Sequence, residues 1–331
     1  MNFKLRKYMG PNFNEEKFLN APNVLYEEVK TKGVAPDNYH AMSIYPEYFK
    51  IDGKWILAKE SRMDGVVVIN DNLELEVKEF RNLKMGDKVI VGRTEDASDG
   101  IYLHANGFSQ IDYEKENGYV VWVLGPAAVF SKGSRDAMAK LIEEGYVDAL
   151  LGGNAVATHD LEAGMFNTAL GQDIYTLEPK HNGHYHHLDL LNKARKASSI
   201  EKLIESENIN SGIIHACVKN NVPIVLAGSI RDDGPLPIVI SDVYKAQDMM
   251  RGHIKKATTV ICLATQLHSI ATGNMTPSYR VMDDKIRPIY FYSVDVSEFA
   301  VNKLRDRGSL EVTTIVTNIQ DFLVKLKENL V

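Results

Sequence analysis

One short segment of the chain concentrates charged residues among residues that break helices and strands. Residues 228–237 read Gly-Ser-Ile-Arg-Asp-Asp-Gly-Pro-Leu-Pro, which places Arg231, Asp232 and Asp233 in succession. A guanidinium can bind a carboxylate through two hydrogen bonds, and a carboxylate can orient an ammonium group. Asp-Gly-Pro is also ordinary turn chemistry. The segment is therefore either a ligand site or a surface turn with solvated charges.

The apolar stretch before this segment indicates where it lies. Residues 222–227 carry no charge and are bounded by turn residues, which is typical of a parallel strand buried on both faces. In an open α/β sheet, ligands bind just past the carboxyl ends of such strands. The sequence thus places the three charged residues where chemistry is expected, and Gly228 and Gly234 would let a backbone approach a ligand closely.

Two other predicted strands end in small residues. Residues 119–124 run into Gly125, Pro126 and Ser131 before a helix, a loop whose N–H groups could approach phosphate oxygens. The alternative is a Gly-Pro turn with a helix cap. Residues 147–151 run into Gly153, Asn154 and Ala155, where a glycine allows close approach of a ligand or simply makes a tight turn.

Titratable residues follow several of these strands. His159 and Asp160 begin a predicted helix, His268 follows a strand over residues 258–264, and Asp295 ends a strand over residues 288–294. A histidine can serve as general acid or base, but a satisfied interior histidine is the alternative. An acid at a strand tip can bind ribose hydroxyls, or it can cap the next helix.

Two further features have simpler explanations. His184, His186 and His187 could ligate a metal, but no partner has standard zinc spacing, and a polar loop with helix-capping histidines is favoured. Cys217 could be a nucleophile, but on an apolar helix face it is more often part of the core. No metal is expected.

The order of elements predicts the fold. Residues 1–40 form an N-terminal arm, and short strands around the Asp52-Gly53 hairpin signal make residues 41–110 a small β-rich domain. Residues 111–331 alternate strands with helices, including helices near 134–145, 159–169 and 297–307. This pattern indicates an α/β domain, a Rossmann-like parallel sheet with helices on both faces.

Composition excludes several classes of protein. The 331 residues carry a net charge of −6 and a pI of about 6.0, so no electrostatic footprint for nucleic acid or an anionic membrane exists. No apolar run reaches the length of about 18 residues that a membrane span needs. The two cysteines, Cys217 and Cys262, lie in apolar surroundings. A cytoplasmic protein is expected.

Several of these motifs together resemble a known family. Residues 152–155, 183–187, 227–237 and 267–275 are similar to the conserved region named after lysine-ketoglutarate reductase/saccharopine dehydrogenase (LOR/SDH). Its archaeal stand-alone members are ornithine cyclodeaminases, and it forms the C-terminal half of the cyanobacterial arginine dihydrolase–ornithine cyclodeaminase. The resemblance covers about residues 40–331. A fainter likeness, in the order of loops, links the chain to deoxyhypusine synthase.

This resemblance implies a cofactor, a reaction and residue roles. NAD would oxidise L-ornithine at Cα, the δ-amine would cyclise with loss of ammonia, and re-reduction would give L-proline. The residues expected in catalysis are Asp233, His268, Asp160 and His159. Those expected to bind substrate are Arg231, Asp232 and His187. Those expected to bind NAD are Gly125, Pro126, Ser131, Gly153, Asn154, Ala155, Asp232, Gly234 and Asp295.

Two other functions stay open at this point. One is a conventional NAD(P)-dependent amino-acid dehydrogenase, and the other is a non-catalytic module that binds NAD or an amino acid. The deoxyhypusine synthase likeness further implies a homodimer or homotetramer whose subunits complete each other's sites.

Overall fold

The computed structural model describes residues 5–105, 107, 110–112, 118–230, 232, 234–282, 285–298 and 311–331. The chain divides into two compact units: unit 1 comprises 1–117, 273–290 and 307–311, and unit 2 comprises 118–272, 291–306 and 312–331. The chain therefore returns from unit 2 to unit 1 before it ends. That residues 1–40, 41–110 and 111–331 are separate domains stays a prediction.

Short strands come first along the chain, and strands alternate with helices after residue 118. The strands are β1 (Leu5–Lys7), β2 (Leu25–Glu28), β3 (Glu47–Ile51), β4 (Lys54–Leu57), β5 (Val66–Ile69), β6 (Leu75–Lys78), β7 (Lys88–Val91), β8 (Ile101–Leu103), β9 (Gln110–Asp112), β10 (Val120–Leu124), β11 (Ala149–Gly153), β12 (Thr168–Ala169), β13 (Gln172–Asp173), β14 (Ile224–Ala227), β15 (Thr259–Leu263), β16 (Tyr279–Met282), β17 (Lys285–Pro288), β18 (Tyr290–Asp295) and β19 (Glu311–Val316). The helices are α1 (Glu16–Leu19), α2 (Lys132–Glu143), α3 (Asn154–Phe166), α4 (His186–Ala197), α5 (Ile200–Ser206), α6 (Ile213–Lys219), α7 (Val243–Ile254), α8 (Gln266–Met275) and α9 (Ile319–Leu330).

Antiparallel sheets make up unit 1. One has the strand order β2-β7-β5-β6 and another the order β4-β3-β8. The predicted hairpin at Asp52-Gly53 is confirmed, because β3 pairs with β4 and both turn residues have the positive φ that such a turn requires. The run of β-branched residues in β5 is buried on both sides: Val67 packs into one apolar cluster and Val66 into another.

Unit 2 is built on a six-stranded sheet. Its order is β14-β11-β10-β15-β18-β19, and the pairings of β10 with β11 and β15, and of β11 with β14, are parallel. Numbered within this sheet by position along the chain, the order is 3-2-1-4-5-6, that of the doubly wound dinucleotide-binding fold. The predicted Rossmann-like α/β sheet preceded by β-rich structure is therefore confirmed.

Side-chain caps explain where several helices of unit 2 begin. Ser131, Ser199, Asp242 and Asn318 precede α2, α5, α7 and α9, and each accepts a hydrogen bond from a backbone N–H of the first turn. Such caps stabilise a helix by about 1 kcal/mol each. Within the described ranges, no helix combines the length and apolar character that crossing a bilayer requires.

Some helices differ from the sequence prediction. Helix α3 begins at Asn154, not near residue 159, because the extended backbone of Gly153 passes directly into the helix. The histidine run does not form a polar loop throughout: His186 and His187 start α4, whose apolar spacing buries Leu190 and Leu191. Histidine has weak helix propensity, which hid this helix in the sequence. The predicted helix over 297–307 extends beyond the described residues after 298.

A buried ion pair joins α2, α3 and α6. Asp160 of α3 is fully buried, and its carboxylate accepts a hydrogen bond from Arg135 Nε of α2 at 2.8 Å. The same carboxylate accepts hydrogen bonds from the backbone N–H groups of Ile213 (3.0 Å) and Ile214 (2.8 Å) at the start of α6. Gly212 fits beside them with φ +110°, where a side chain would collide with the Arg135 guanidinium.

Replacing Asp160 with Asn tests this structural role. The variant leaves the Arg135 charge buried and unpaired, so the free energy of unfolding of unit 2 should fall by about 3–5 kcal/mol. Urea unfolding followed by Trp122 fluorescence, in a Trp55→Phe background, measures the change. Asp136→Asn is the matched control, since that side chain is 49% exposed where it pairs with Lys132, and it should cost no more than about 1 kcal/mol. Equal effects of the two variants would contradict the assignment.

Candidate active site

A cavity of about 470 Å³ lies at the carboxyl ends of the parallel strands of unit 2. Strand β10 lies between β11 and β15, so the strand order reverses there. Open α/β sheets bind ligands at this switch point. The residues that line the cavity are Leu124, Pro126, Phe130, Gly153, Asn154, Ala155, Val156, Thr158, His159, Leu170, His187, Leu191, Ser229, Asp232, Thr265, Leu267 and His268.

Of the loop after β10, only part faces the cavity. Pro126 lines it, whereas Gly125 serves backbone packing: its N–H donates to the Leu263 carbonyl oxygen at 2.8 Å, and a Cβ there would overlap with the Ala264 carbonyl. The Ser131 hydroxyl caps α2 by accepting from the Ser134 N–H at 3.3 Å. Gly125 and Ser131 are thus explained by the fold without a ligand.

The first turn of α3 forms one wall. Gly153, Asn154 and Ala155 all line the cavity, and their role in cofactor binding stays a prediction. Gly153 precedes the helix and no side chain caps it. The Asn154 Oδ1 accepts a hydrogen bond from Leu236 N at 3.0 Å, which ties the loop after β14 to this helix. An uncapped helix N-terminus presents free N–H groups and a positive dipole end, which attract anions such as phosphate.

His159 and Glu162 form a pair on α3. The His159 ring lines the cavity, and its Nδ1 is 2.8 Å from Oε2 of Glu162, which is completely buried. Glu162 was not identified in the sequence. Its spacing of three residues from His159 would have been the signal, because such residues lie on the same face of a helix.

His268 is the second imidazole of the cavity. It lies in the first turn of α8, not in a loop, with Nδ1 3.3 Å from the Thr265 hydroxyl. Gly153 leaves room for it, since a Cβ on Gly153 would come within 2.9 Å of His268 Cε1. Burial lowers the pKa of His268 below its ordinary value. The neutral imidazole, which can accept a proton, is therefore favoured at neutral pH.

The charged segment that follows β14 is described in part. Arg231 and Asp233 lie outside the described residues. Asp232 lines the cavity, and its Oδ2 accepts a hydrogen bond from Ser229 N at 2.9 Å, which holds the turn. Gly234 has φ +124° and is packed against the Arg195 guanidinium of α4, so its missing side chain makes room for this cation, which no sequence motif indicated.

The three histidines near residue 185 have different surroundings. His187 lines the cavity with its ring centre 6.2 Å from that of His159, and its role in substrate binding stays a prediction. His186 Nδ1 is 2.8 Å from the Thr168 hydroxyl, and the His184 ring packs against Tyr185. The three rings therefore lie in three different environments.

Like Gly125 and Ser131, the candidates Asp160, Asp295 and Cys217 do not line this cavity. The Asp160 carboxylate accepts hydrogen bonds from Arg135 and from the start of α6. Because it faces these groups and not the cavity, its expected role as a proton shuttle is corrected to a structural one. Asp295 Oδ1 accepts a hydrogen bond from Ser297 N at 3.0 Å, so it caps the chain after β18 as the alternative interpretation expected. Cys217 is buried in the core, and burial raises the pKa of its thiol, which makes it a poor nucleophile.

Comparisons with known proteins agree with this architecture. Residues 105–326 match the family described as arginine dihydrolase ArgZ-like, C-terminal, Rossmann fold, and residues 46–99 match the first region of the same C-terminal part. An ornithine cyclodeaminase of Methanopyrus kandleri is 36% identical, over 99% of this chain and 82% of its own length.

Solved structures give the same result. A conserved LOR/SDH protein from Methanococcus maripaludis S2 superposes with a TM-score of 0.82 and 33% identity, over 93% of this chain and 98% of that chain. The ternary complex of AgrE with ornithine and NAD⁺ superposes with a TM-score of 0.58 and 37% identity, over 94% of this chain and 47% of that chain. AgrE of Nostoc sp. is a bifunctional arginine dihydrolase/ornithine cyclodeaminase. The resemblance inferred from the motifs is therefore confirmed, and the chain belongs to the family of ArgZ-like C-terminal regions.

Proposed function

We propose that this protein is an ornithine cyclodeaminase, which converts L-ornithine to L-proline and ammonia with NAD as a catalytic cofactor. The observation that carries the proposal is the switch-point cavity, whose wall brings together three imidazoles and a carboxylate. Support comes from relatives of that name and from the complex of AgrE with ornithine and NAD⁺.

The cavity suits a dinucleotide cofactor. Its volume of about 470 Å³ is in the range of small-molecule sites. Helices α3 and α8 both contribute their first residues to its wall, so two positive dipole ends favour an anionic ligand. Asn154, Ala155 and Pro126 would hold the cofactor. When bound there, NAD⁺ would supply hydride transfer from and back to Cα of the substrate.

The charges of the wall suit a dibasic amino acid. Ornithine carries two ammonium groups and one carboxylate, and the Asp232 carboxylate can orient an ammonium group. Arg231 is proposed to bind the substrate carboxylate and Asp233 to act in catalysis, although neither belongs to the described residues. Arg195, beside Gly234, places a further cation next to the same loop.

The imidazoles supply the proton transfers that this reaction needs. The α-ammonium must lose a proton before oxidation, and the δ-ammonium must lose one before its nitrogen attacks the α-imine. We assign these two protons to His159 and His268. The departing amine takes protons back and leaves as ammonium. The net single positive charge of ornithine is therefore conserved in the products, zwitterionic proline and ammonium.

Incubation with L-ornithine and trace NAD⁺ tests the function. Proline and ammonium should form in equal amounts, far in excess of NAD⁺, without accumulation of reduced nicotinamide. A dehydrogenase would instead produce reduced nicotinamide in proportion to the substrate consumed. A module that only binds would give no turnover. Proline should be measured by mass spectrometry and reduced nicotinamide by its absorbance. Reduced nicotinamide in proportion to the substrate, or no turnover at all, would exclude the cyclodeaminase.

The lowered pKa of His268 predicts a pH dependence. Because its neutral form is the base, kcat/KM should rise with pH and level off, with a midpoint below the ordinary histidine value of about 6.5. His268→Asn should lower kcat by about 10²–10⁴-fold. His253→Asn is the control, since burial also lowers the pKa of His253 but this side chain bonds Tyr119 outside the cavity. Full activity of His268→Asn would exclude this base.

We also propose a homodimer or homotetramer. Two apolar residues of the cavity wall are largely exposed, Leu170 at 55% and Leu267 at 75%, and covering them with a second subunit would be favourable. Light scattering of the purified protein decides the assembly. The cytoplasmic location stays a prediction.

A further inference from the structure

We infer that Glu162 is a positioning residue: it fixes the tautomer of His159 so that Nε2 carries the lone pair that serves the cavity. This inference rests on the proposed function for its role in the reaction, but the tautomer can be tested without any turnover. It also assigns Thr168 and His186 to the same hydrogen-bond network, which nothing in the sequence motifs indicated.

The surroundings of Glu162 leave neither oxygen free. Its Oε1 accepts from the Thr168 hydroxyl at 2.8 Å and from Gly171 N at 3.1 Å. Its Oε2 accepts from Leu170 N at 3.2 Å and lies 2.8 Å from His159 Nδ1. The residue has no exposed surface. A buried carboxylate with this many donors is fully satisfied, as buried charges must be.

These contacts fit one arrangement of the protons. Backbone N–H groups can only donate, and one of them reaches each oxygen of Glu162. The ionised carboxylate accepts all four contacts, whereas a protonated carboxyl would have to donate to His159 Nδ1 or to the Thr168 hydroxyl. We assign the ionised form, in which His159 Nδ1 is the donor. In a neutral imidazole with Nδ1 protonated, Nε2 is the acceptor.

The network extends one step further from the cavity. Because the Thr168 hydroxyl donates its proton to Glu162, it can only accept from His186 Nδ1 at 2.8 Å. The His186 ring is stacked on Phe166, with ring centres 4.7 Å apart, which fixes its plane. All donors along the chain of contacts therefore point toward the Glu162 carboxylate.

This arrangement prepares His159 for one proton transfer. In the proposed reaction an N–H bond of the substrate ammonium breaks, its electron pair stays on nitrogen, and a bond from Nε2 to hydrogen forms. The resulting imidazolium faces the negative charge of Glu162, which stabilises it. The other ionisable groups on the same cavity wall are His187, Asp232 and His268.

Nitrogen NMR of ¹⁵N-histidine-labelled protein tests the tautomer directly. Spectra of His159→Gln identify the His159 resonances, and long-range proton–nitrogen correlations at a pH where the ring is neutral show which nitrogen carries the proton. We expect Nδ1–H in the wild-type protein. In Glu162→Gln an amide N–H group competes for Nδ1, and the Nε2–H form should appear. Nε2–H in the wild type, or no change in the variant, would overturn the inference.

Kinetics test the role in the reaction separately. Glu162→Gln should lower kcat by about 10²-fold or more, with a smaller effect on KM, because the variant impairs proton transfer to His159 and not substrate binding. Thr168→Val should lower kcat by about 3- to 10-fold. Thr168→Ser, which keeps the hydroxyl, should restore the wild-type kcat. Glu143→Gln is the charge-matched control on the exposed face of α2. If the wild type lacks cyclodeaminase activity, the proposed function fails while the NMR result stands. Wild-type kcat in Glu162→Gln would overturn the positioning role.

Discussion

The site depends on how closely the ends of β10 and β15 approach each other. The Gly125 N–H donates to the Leu263 carbonyl oxygen at 2.8 Å, and the space that a side chain would need is taken by the Ala264 carbonyl. Ala264 itself has φ +50°, which turns the chain from β15 towards α8. The two strands stay joined to their last residues, and the segments that follow open the cavity. His268 then packs against Gly153, so the same small-residue contacts position an imidazole.

Helix α3 carries two buried carboxylates, one that stabilises the fold and one that contacts a histidine of the cavity. Asp160 and Glu162 are both fully buried, but residues two apart on a helix point to nearly opposite sides. Asp160 faces Arg135 and the start of α6, so it holds helices together. Glu162 faces the loop after α3 and His159, so it acts on the cavity. Neither function can be read from residue type, because the two side chains differ by one methylene group.

Much of the fold follows from local sequence, but the site does so only in part. Apolar runs ending in glycine predicted β10, β11 and β14, and Gly153, Asn154, His159, Asp232 and His268 do meet in one cavity. Strand order and side-chain direction are set by tertiary packing, so the local sequence does not show that Asp160 pairs with Arg135 or that Glu162 contacts His159. Helix α4 was not predicted because it begins with histidines, whose helix propensity is weak. In the local sequence this weak propensity counts for more than the helical spacing of the apolar residues.

In the proposed reaction, ornithine is oxidised and reduced at the same carbon within one site. The most direct measurement is the fate of deuterium when the protein converts L-[2-²H]ornithine with trace unlabelled NAD⁺. We expect L-proline that retains deuterium at Cα in nearly every molecule. Proline that carries solvent hydrogen at Cα would contradict it.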